Sequence, residues 1–180
     1  MSKRLCCLFG NGVEEIELII PVDILLRCGI DVSLISAHGD VGVSGAHNIK
    51  LVADTTIDKV AVSNFDGLIL PGGPGSFSLK DDGAVLNLVR SFHEADKLMC
   101  AICAAPLILQ NAGVLENVNY CAHPCTHDIL TNVDKNERVV VDHHFITAKG
   151  PGAAAEFAFA IIGYLHGESM ASKIKKDLFF

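Results

Sequence analysis

The sequence predicts an α/β protein in which a mostly parallel sheet carries helices on both faces. Three observations predict it. Short, predominantly apolar runs recur at Leu5–Phe9, Asp31–Ala37, Gly67–Leu70 and Leu98–Ile102, as in strands covered on both sides. Stretches of helical period separate them, such as Val85, Leu88, Val89 and Phe92, and strand–helix alternation implies parallel pairing. The chain has 180 residues, 50% hydrophobic and 19% charged. That suits one domain, residues 1–180, able to bury a core, and it excludes a disordered chain.

The elements follow in order. Leu5–Phe9 reads as a buried strand. Glu14–Arg27 reads as a helix, with Ile16, Ile20, Ile24 and Leu25 near the 3.6-residue period. Pro21 should bend or break it, because proline lacks the N–H that a helix interior needs, and Gly29 should end it. Asp31–Ala37 is the second strand, and the Gly-rich residues 38–50 read as turns or a hairpin. Gly67–Leu70 is the third strand and runs into Pro71-Gly72-Gly73-Pro74-Gly75. Asp81–Ala95 is a helix, Leu98–Ile102 a strand and Ala105–Ala112 a helix. Val139–Val141 and Phe145–Thr147 read as strands, with Asp142-His143-His144 as the turn between them. Gly152–His166 is apolar nearly all round, so it should be a buried helix. No internal repeat or linker is evident. Ligands of such sheets bind beyond the carboxyl ends of strands, which singles out residues 11–17, 71–76 and 103–105.

Charge and cysteines narrow the class. The net charge is −7 and there is no Trp. Only Lys173, Lys175 and Lys176 form a short basic run, so a nucleic-acid surface is unsupported. The seven cysteines lie mostly in apolar runs. They read as reduced thiols, which places the chain in the cytoplasm. The apolar run after Lys3 and Arg4 is too short for a secretory leader. Residues 98–115 carry no charge, but Pro106, Gln110, Asn111 and Gly113 argue against a membrane span.

Four segments could carry chemistry. In Cys100-Ala-Ile-Cys103-Ala-Ala-Pro106 a strand ends and a helix begins almost at once. A residue in such a turn has a strained backbone and an exposed side chain, the nucleophile-elbow arrangement. A helix N-terminus favours thiolate. At a thiol pKa of ~8.5 about 3% is ionised at pH 7, and at ~5.5 about 97%. A buried inert cysteine is the plain alternative. Cys100 and Cys103 are not read as a redox pair, because extended residues three apart span roughly 10 Å and a disulfide allows ~7 Å. In Glu14-Glu15-Ile-Glu17 the first two acids need only favour the helix dipole. Glu17 precedes Leu18-Ile19-Ile20, so it can point inward and stay protonated. Pro71–Gly75 lacks the Lys-Ser/Thr of a phosphate loop. It reads as an oxyanion hole or as a plain turn. Cys121-Ala-His123-Pro-Cys125-Thr-His127 would align four soft ligands if extended, but Pro124 and the irregular spacing favour a single histidine, His123, presented to the nucleophile.

These segments together resemble the DJ-1/ThiJ/PfpI superfamily. The match includes Gly12-Val-Glu14-Glu15-Ile-Glu17, Ile20-Pro21-Val-Asp23 and Leu70-Pro71-Gly72-Gly73. It continues with Ala101-Ile-Cys103-Ala104-Ala105-Pro106, His123-Pro124 and Lys149-Gly150-Pro151-Gly152, then Glu156-Phe157-Ala158. It covers essentially the whole chain and is similar to the DJ-1 branch more than to the protease-like branch.

The resemblance implies a flavodoxin-like three-layer sandwich and a homodimer. It implies a nucleophilic, oxidation-sensitive cysteine at Cys103, a protonated glutamate at Glu17 and a site histidine at His123. The oxyanion donors would be the backbones of Gly72 or Gly73 and of Ala104. A candidate anion pocket at the dimer interface would use Arg27, with His47 where the family has a second arginine; Lys149 stands where the branch often has Arg. Three functions follow. The first is a glyoxalase or deglycase acting on methylglyoxal, glyoxal or glycated groups through a Cys103 hemithioacetal, with no glutathione, metal or other cofactor. The second is an oxidative-stress sensor or chaperone-like protein using Cys103 oxidation. The third is the thiazole-phosphate role by which family members are often labelled. Proteolysis would need an ordered Cys–His pair.

Overall fold

Strand Arg4–Phe9 (β1) shows how the sequence builds the molecule. Leu5, Cys7 and Phe9 enter one apolar core, while Cys6 and Leu8 enter a second on the opposite face. Successive strand side chains point to opposite faces, so a run that is apolar throughout must be covered on both. The computed structural model describes residues 2–180 and bears this out. β1 leads into helix α1 (Glu15–Arg27) and strand β2 (Asp31–Ser36). A hairpin of β3 (Gly42–Ser44) and β4 (Lys50–Val52) follows, then β5 (Thr55–Thr56) and β6 (Gly67–Leu70). Helices α2 (Ser76–Leu79) and α3 (Gly83–Glu94) precede β7 (Leu98–Ile102) and helix α4 (Pro106–Ala112). The rest is β8 (Tyr120–Cys121), β9 (Val133–Asp134), β10 (Val139–Asp142), β11 (Phe145–Ala148), α5 (Ala154–His166) and α6 (Glu168–Asp177).

The main sheet has seven strands in the order β10-β11-β7-β6-β1-β2-β5. All its pairings are parallel except the β10–β11 hairpin at one edge. Leu18, Leu25, Phe157, Ile161 and Ile174 of α1, α5 and α6 fill the first core. Val85, Val89, Phe92, Ile108 and Leu109 of α3 and α4 fill the second. The expected three-layer sandwich is therefore the observed one.

Of the two readings at Pro21, a bend or a break, the break does not form: helix α1 continues through it. Pro21 cannot donate to the Glu17 carbonyl, but its buried ring packs with Val22, Leu25 and the rest of the inward face. Tertiary burial outweighs one lost bond. Residues 168–177, given no element from the sequence, form α6, which docks Ala171 and Ile174. The segment 38–50 is a hairpin, as one of its two readings had it. Among the described residues no helix is long and apolar enough to cross a membrane.

Candidate active site at Cys103

The carboxyl ends of β1, β6 and β7 deliver three loops to one place, and Cys103 is at its centre. Cys103 follows the last residue of β7 and has φ +65°. A left-handed conformation at a residue with a Cβ is strained. Its backbone is held at both ends: its N–H donates to the Ala148 carbonyl (2.8 Å) and its carbonyl accepts from the His123 N–H (2.9 Å). Cys103 is only 8% exposed. The main-chain N–H groups of Gly73 and Ala104 and the Glu17 side chain lie beside its sulfur.

The sequence sets a helix terminus, which lowers a thiol pKa, against a buried inert cysteine. The structure adds burial and the Glu17 charge, which push the Cys103 thiol up, while the two amides pull it down. The Glu17 effect requires an ionised carboxylate. Glu17 is fully buried, and burial pushes its carboxyl up to about 7, against the lowering contacts to Cys103 and the Gly72 amide. The two groups therefore titrate as a coupled pair, in which a charge on either raises the other. The Gly72 N–H donates to Glu17 Oε2 at 2.9 Å, and Oε1 is buried without a partner. A proton on Glu17 belongs on Oε1, where it can be offered to the sulfur.

The glycine loop fits this geometry. A Cβ on Gly72 would lie 2.6 Å from Glu17 Oε2 and 2.7 Å from Cys103 Cβ. Gly73 has φ +101° and would overlap the Glu14 amide. The glycines divide the work: Gly72 binds the carboxyl and Gly73 addresses the sulfur.

His123 reaches the site through its main chain. Its Nδ1 accepts from the Cys125 N–H at 3.2 Å, which places the proton of a neutral ring on Nε2. Among the described residues no hydrogen bond joins its imidazole to the thiol. The Cys121–His127 segment is not extended: Pro124–Thr126 is a 3₁₀ turn. Cys121 Sγ lies against the Thr147 and Arg138 carbonyls, and His127 Nε2 is 3.2 Å from the Ala122 carbonyl. Cys100 is buried in β7, and all seven cysteines are free.

Arg27 and His47 are not brought together within the chain. They sit at opposite ends of α1, some 18 Å apart for twelve residues at ~1.5 Å rise. Arg27 pairs with Asp23 at 2.7 Å, and His47 with Glu15 at 2.8 Å. The candidate anion pocket is thus not formed by one chain alone. Lys149 Nζ donates to the Lys135 carbonyl. The sequence reading missed the Glu15–His47 contact, since 32 positions separate the partners and nothing local links them.

The DJ-1/PfpI family model matches residues 3–163. Protein dj-1beta of Drosophila melanogaster is 36% identical over 99% of this chain and 97% of its own. Glutathione-independent glyoxalase DJR-1.2 of Caenorhabditis elegans is 34% identical over 98% and 96%. The solved structure of Drosophila melanogaster DJ-1beta superposes with a TM-score of 0.94 at 33% identity, covering 99% of this chain and 98% of that one. That of oxidized Toxoplasma gondii DJ-1 gives 0.94 at 30% identity, covering 99% of both. With its strained cysteine, buried glutamate and paired glycines at the ends of a parallel sheet, this chain belongs to the DJ-1/PfpI family.

Proposed function

We propose that the protein is a cysteine-dependent, glutathione-independent glyoxalase that converts methylglyoxal or glyoxal to the hydroxy acid, with glycated groups as alternative substrates. The observation that carries this reading is the strained Cys103 elbow, with Glu17 and the glycine loop packed against it and the Gly73 and Ala104 amides beside its sulfur. The Caenorhabditis elegans relative named a glutathione-independent glyoxalase supports it.

The residues suit each step. The Cys103 sulfur adds to the aldehyde carbon, and the thiol proton passes to the new oxygen, giving a hemithioacetal. The Gly73 and Ala104 amides stabilise the alkoxide on the way. The hydrogen on that carbon is then removed as a proton and returned to the neighbouring carbon, while the hydroxyl proton passes to that neighbour's carbonyl oxygen. Glu17, with a pKa of about 7, is suited to both transfers; His123 is the alternative shuttle. The product is a thioester, and water cleaves its C–S bond to release lactate and the thiol. Methylglyoxal and water enter, and lactate and a proton leave.

The test is lactate formation from methylglyoxal without glutathione by wild type and Cys103→Ser. Lactate from wild type alone supports the reading. Equal turnover by both would falsify it.

One observation favours a second use of the same atom. The two amides that face the sulfur can hold the oxygens of a sulfinic acid, formed by two successive peroxide oxidations, each releasing water. Intact mass after mild peroxide distinguishes a selective gain of two oxygens at Cys103 from scattered oxidation.

We also propose a homodimer through α1. Ile16, Ile19 and Leu26 are exposed on that helix, and their spacing of three and seven places them on one stripe. Seven free thiols support a reducing, cytoplasmic setting.

A further inference from the structure

Apart from Cys103, the α1 N-terminus and the β3–β4 turn build a mixed nitrogen and oxygen cluster. We propose that Glu14, Glu15 and His47 form a binding site for a divalent first-row transition cation of the zinc type. One ligand atom from each residue lies within 4.8 Å of the other two. His47 Nδ1 is 2.8 Å from Glu15 Oε2 and 3.9 Å from Glu14 Oε1. A cation about 2.1 Å from each donor spaces adjacent ligands about 3 Å apart and opposite ligands about 4.2 Å. The observed separations fall at or near those limits.

Three further observations point to a cation. The carboxylates are sequestered, with side-chain exposures of 15% for Glu14 and 9% for Glu15. Among the described residues no lysine or arginine pairs with either, and the Glu14 carboxylate accepts no hydrogen bond. Two acids are left with one imidazole as their counter-group, so the corner is negative whatever the state of His47. The site is also preformed. The His47 N–H donates to Glu15 Oε1 at 2.8 Å, and a side chain at Gly45 would overlap that same oxygen. Glu15 is thus aimed at the ring by the backbone. Within the single chain His47 is 69% exposed, so its ring can be reached by an added ion.

The donor set selects the cation. An imidazole with two carboxylates suits Zn²⁺, Co²⁺ or Mn²⁺; all-oxygen sites suit Mg²⁺ and Ca²⁺, and thiolates suit Cu⁺. A metal on Nδ1 replaces the proton that now joins His47 to Glu15.

The experiment is a Co²⁺ titration of the full chain, followed by visible absorption and equilibrium dialysis, in wild type and Cys103→Ser. The expected result is one Co²⁺ per chain with no thiolate-to-cobalt band. His47→Arg is the decisive variant, because arginine keeps a positive partner for Glu15 but cannot ligate. Affinity should fall at least tenfold in His47→Arg and in Glu15→Gln, with both melting as the parent does. No binding at millimolar Co²⁺, undiminished binding by His47→Arg, or a thiolate band lost in Cys103→Ser would each overturn the proposal. The test does not involve Cys103 turnover, so it stands or falls apart from the glyoxalase reading.

Discussion

Glu17→Gln should make the fold far less sensitive to rising pH. The Glu17 carboxyl titrates at about 7 in the folded protein, against an ordinary value of 4.5. That gap of about 2.5, at ~1.36 kcal/mol per unit, is about 3 kcal/mol. The sign follows from proton counting. Between those values the folded state holds a proton that the unfolded state has lost. The stabilisation is complete below the unfolded value and disappears as pH rises through 7, when a carboxylate must ionise in the interior. Glutamine accepts from the Gly72 N–H, can donate to Cys103 as the protonated acid would, and never ionises. His47, raised by its contact with Glu15, also loses its contribution as pH rises. His144, lowered first by burial, acts in the opposite sense. Both persist in the variant and cancel in the difference. Thermal unfolding of the two proteins from pH 5 to 8, with thiols kept reduced, reads the effect. Wild type should lose about 3 kcal/mol relative to the variant, roughly 6–12 °C in Tm for a chain of this size. Parallel curves would refute the claim that Glu17 holds a proton in the folded state.

Three other outcomes are expected. Gly72→Ala puts a Cβ 2.7 Å from the Ile102 carbonyl and from Cys103 Cβ, so the unfolding free energy from denaturant titration should fall by about 1–3 kcal/mol and alkylation of Cys103 should change rate. Ile19→Asp places a charge on the exposed α1 stripe; sedimentation velocity should show a monomer, with the fold intact by circular dichroism. His143 has φ +52° at the first position of the two-residue β10–β11 turn, where glycine is favoured. His143→Gly should raise the unfolding free energy in urea by about 0.5–1 kcal/mol, seen as a higher midpoint at unchanged slope.

The central strands were legible because each is buried on both faces, so their composition alone marks them. Glu17 was legible in part: it shares the inward face of an amphipathic helix with Leu18, Pro21, Ile24 and Leu25, while Ile19 in the same apolar run points outward. The elbow at Cys103 was legible because a strand and a helix cannot meet over so few residues without a tight turn. What escaped was set by distant partners. Thr55–Thr56, Tyr120–Cys121 and Val133–Asp134 are two-residue strands, with no periodicity to detect. Helix α6 carried a weak signal, since Met170, Ala171, Ile174 and Leu178 lie on one face and pack on the core; its many charges masked it. The ionisation of Cys103 escaped because it depends on burial and on a carboxyl 86 positions away. Arg27 and His47 were linked only by resemblance, and a single chain holds them at opposite ends of one helix.

The way Cys103 is held separates the two parts of His123. The strained backbone of Cys103 is fixed on one side by Ala148 and on the other by the His123 N–H, a bond that any residue at 123 can make. The imidazole only caps the following turn, through the Cys125 N–H. His123→Ala should therefore cost about 1 kcal/mol, as lost caps do, and leave the elbow intact. Glu17 lies beside the sulfur and titrates at about 7, so in the proposed reaction the proton transfer between carbons falls to it. Methylglyoxal turnover by His123→Ala should stay within about tenfold of wild type, while Glu17→Gln loses the 10²–10⁴-fold typical of a positioned acid–base group. Iodoacetamide labelling of Cys103 confirms that both variants keep an accessible thiol. If His123→Ala abolished turnover with labelling unchanged, and Glu17→Gln did not, the imidazole would be the shuttle. The buried carboxyl would then serve only to hold the Gly72 loop against the nucleophile.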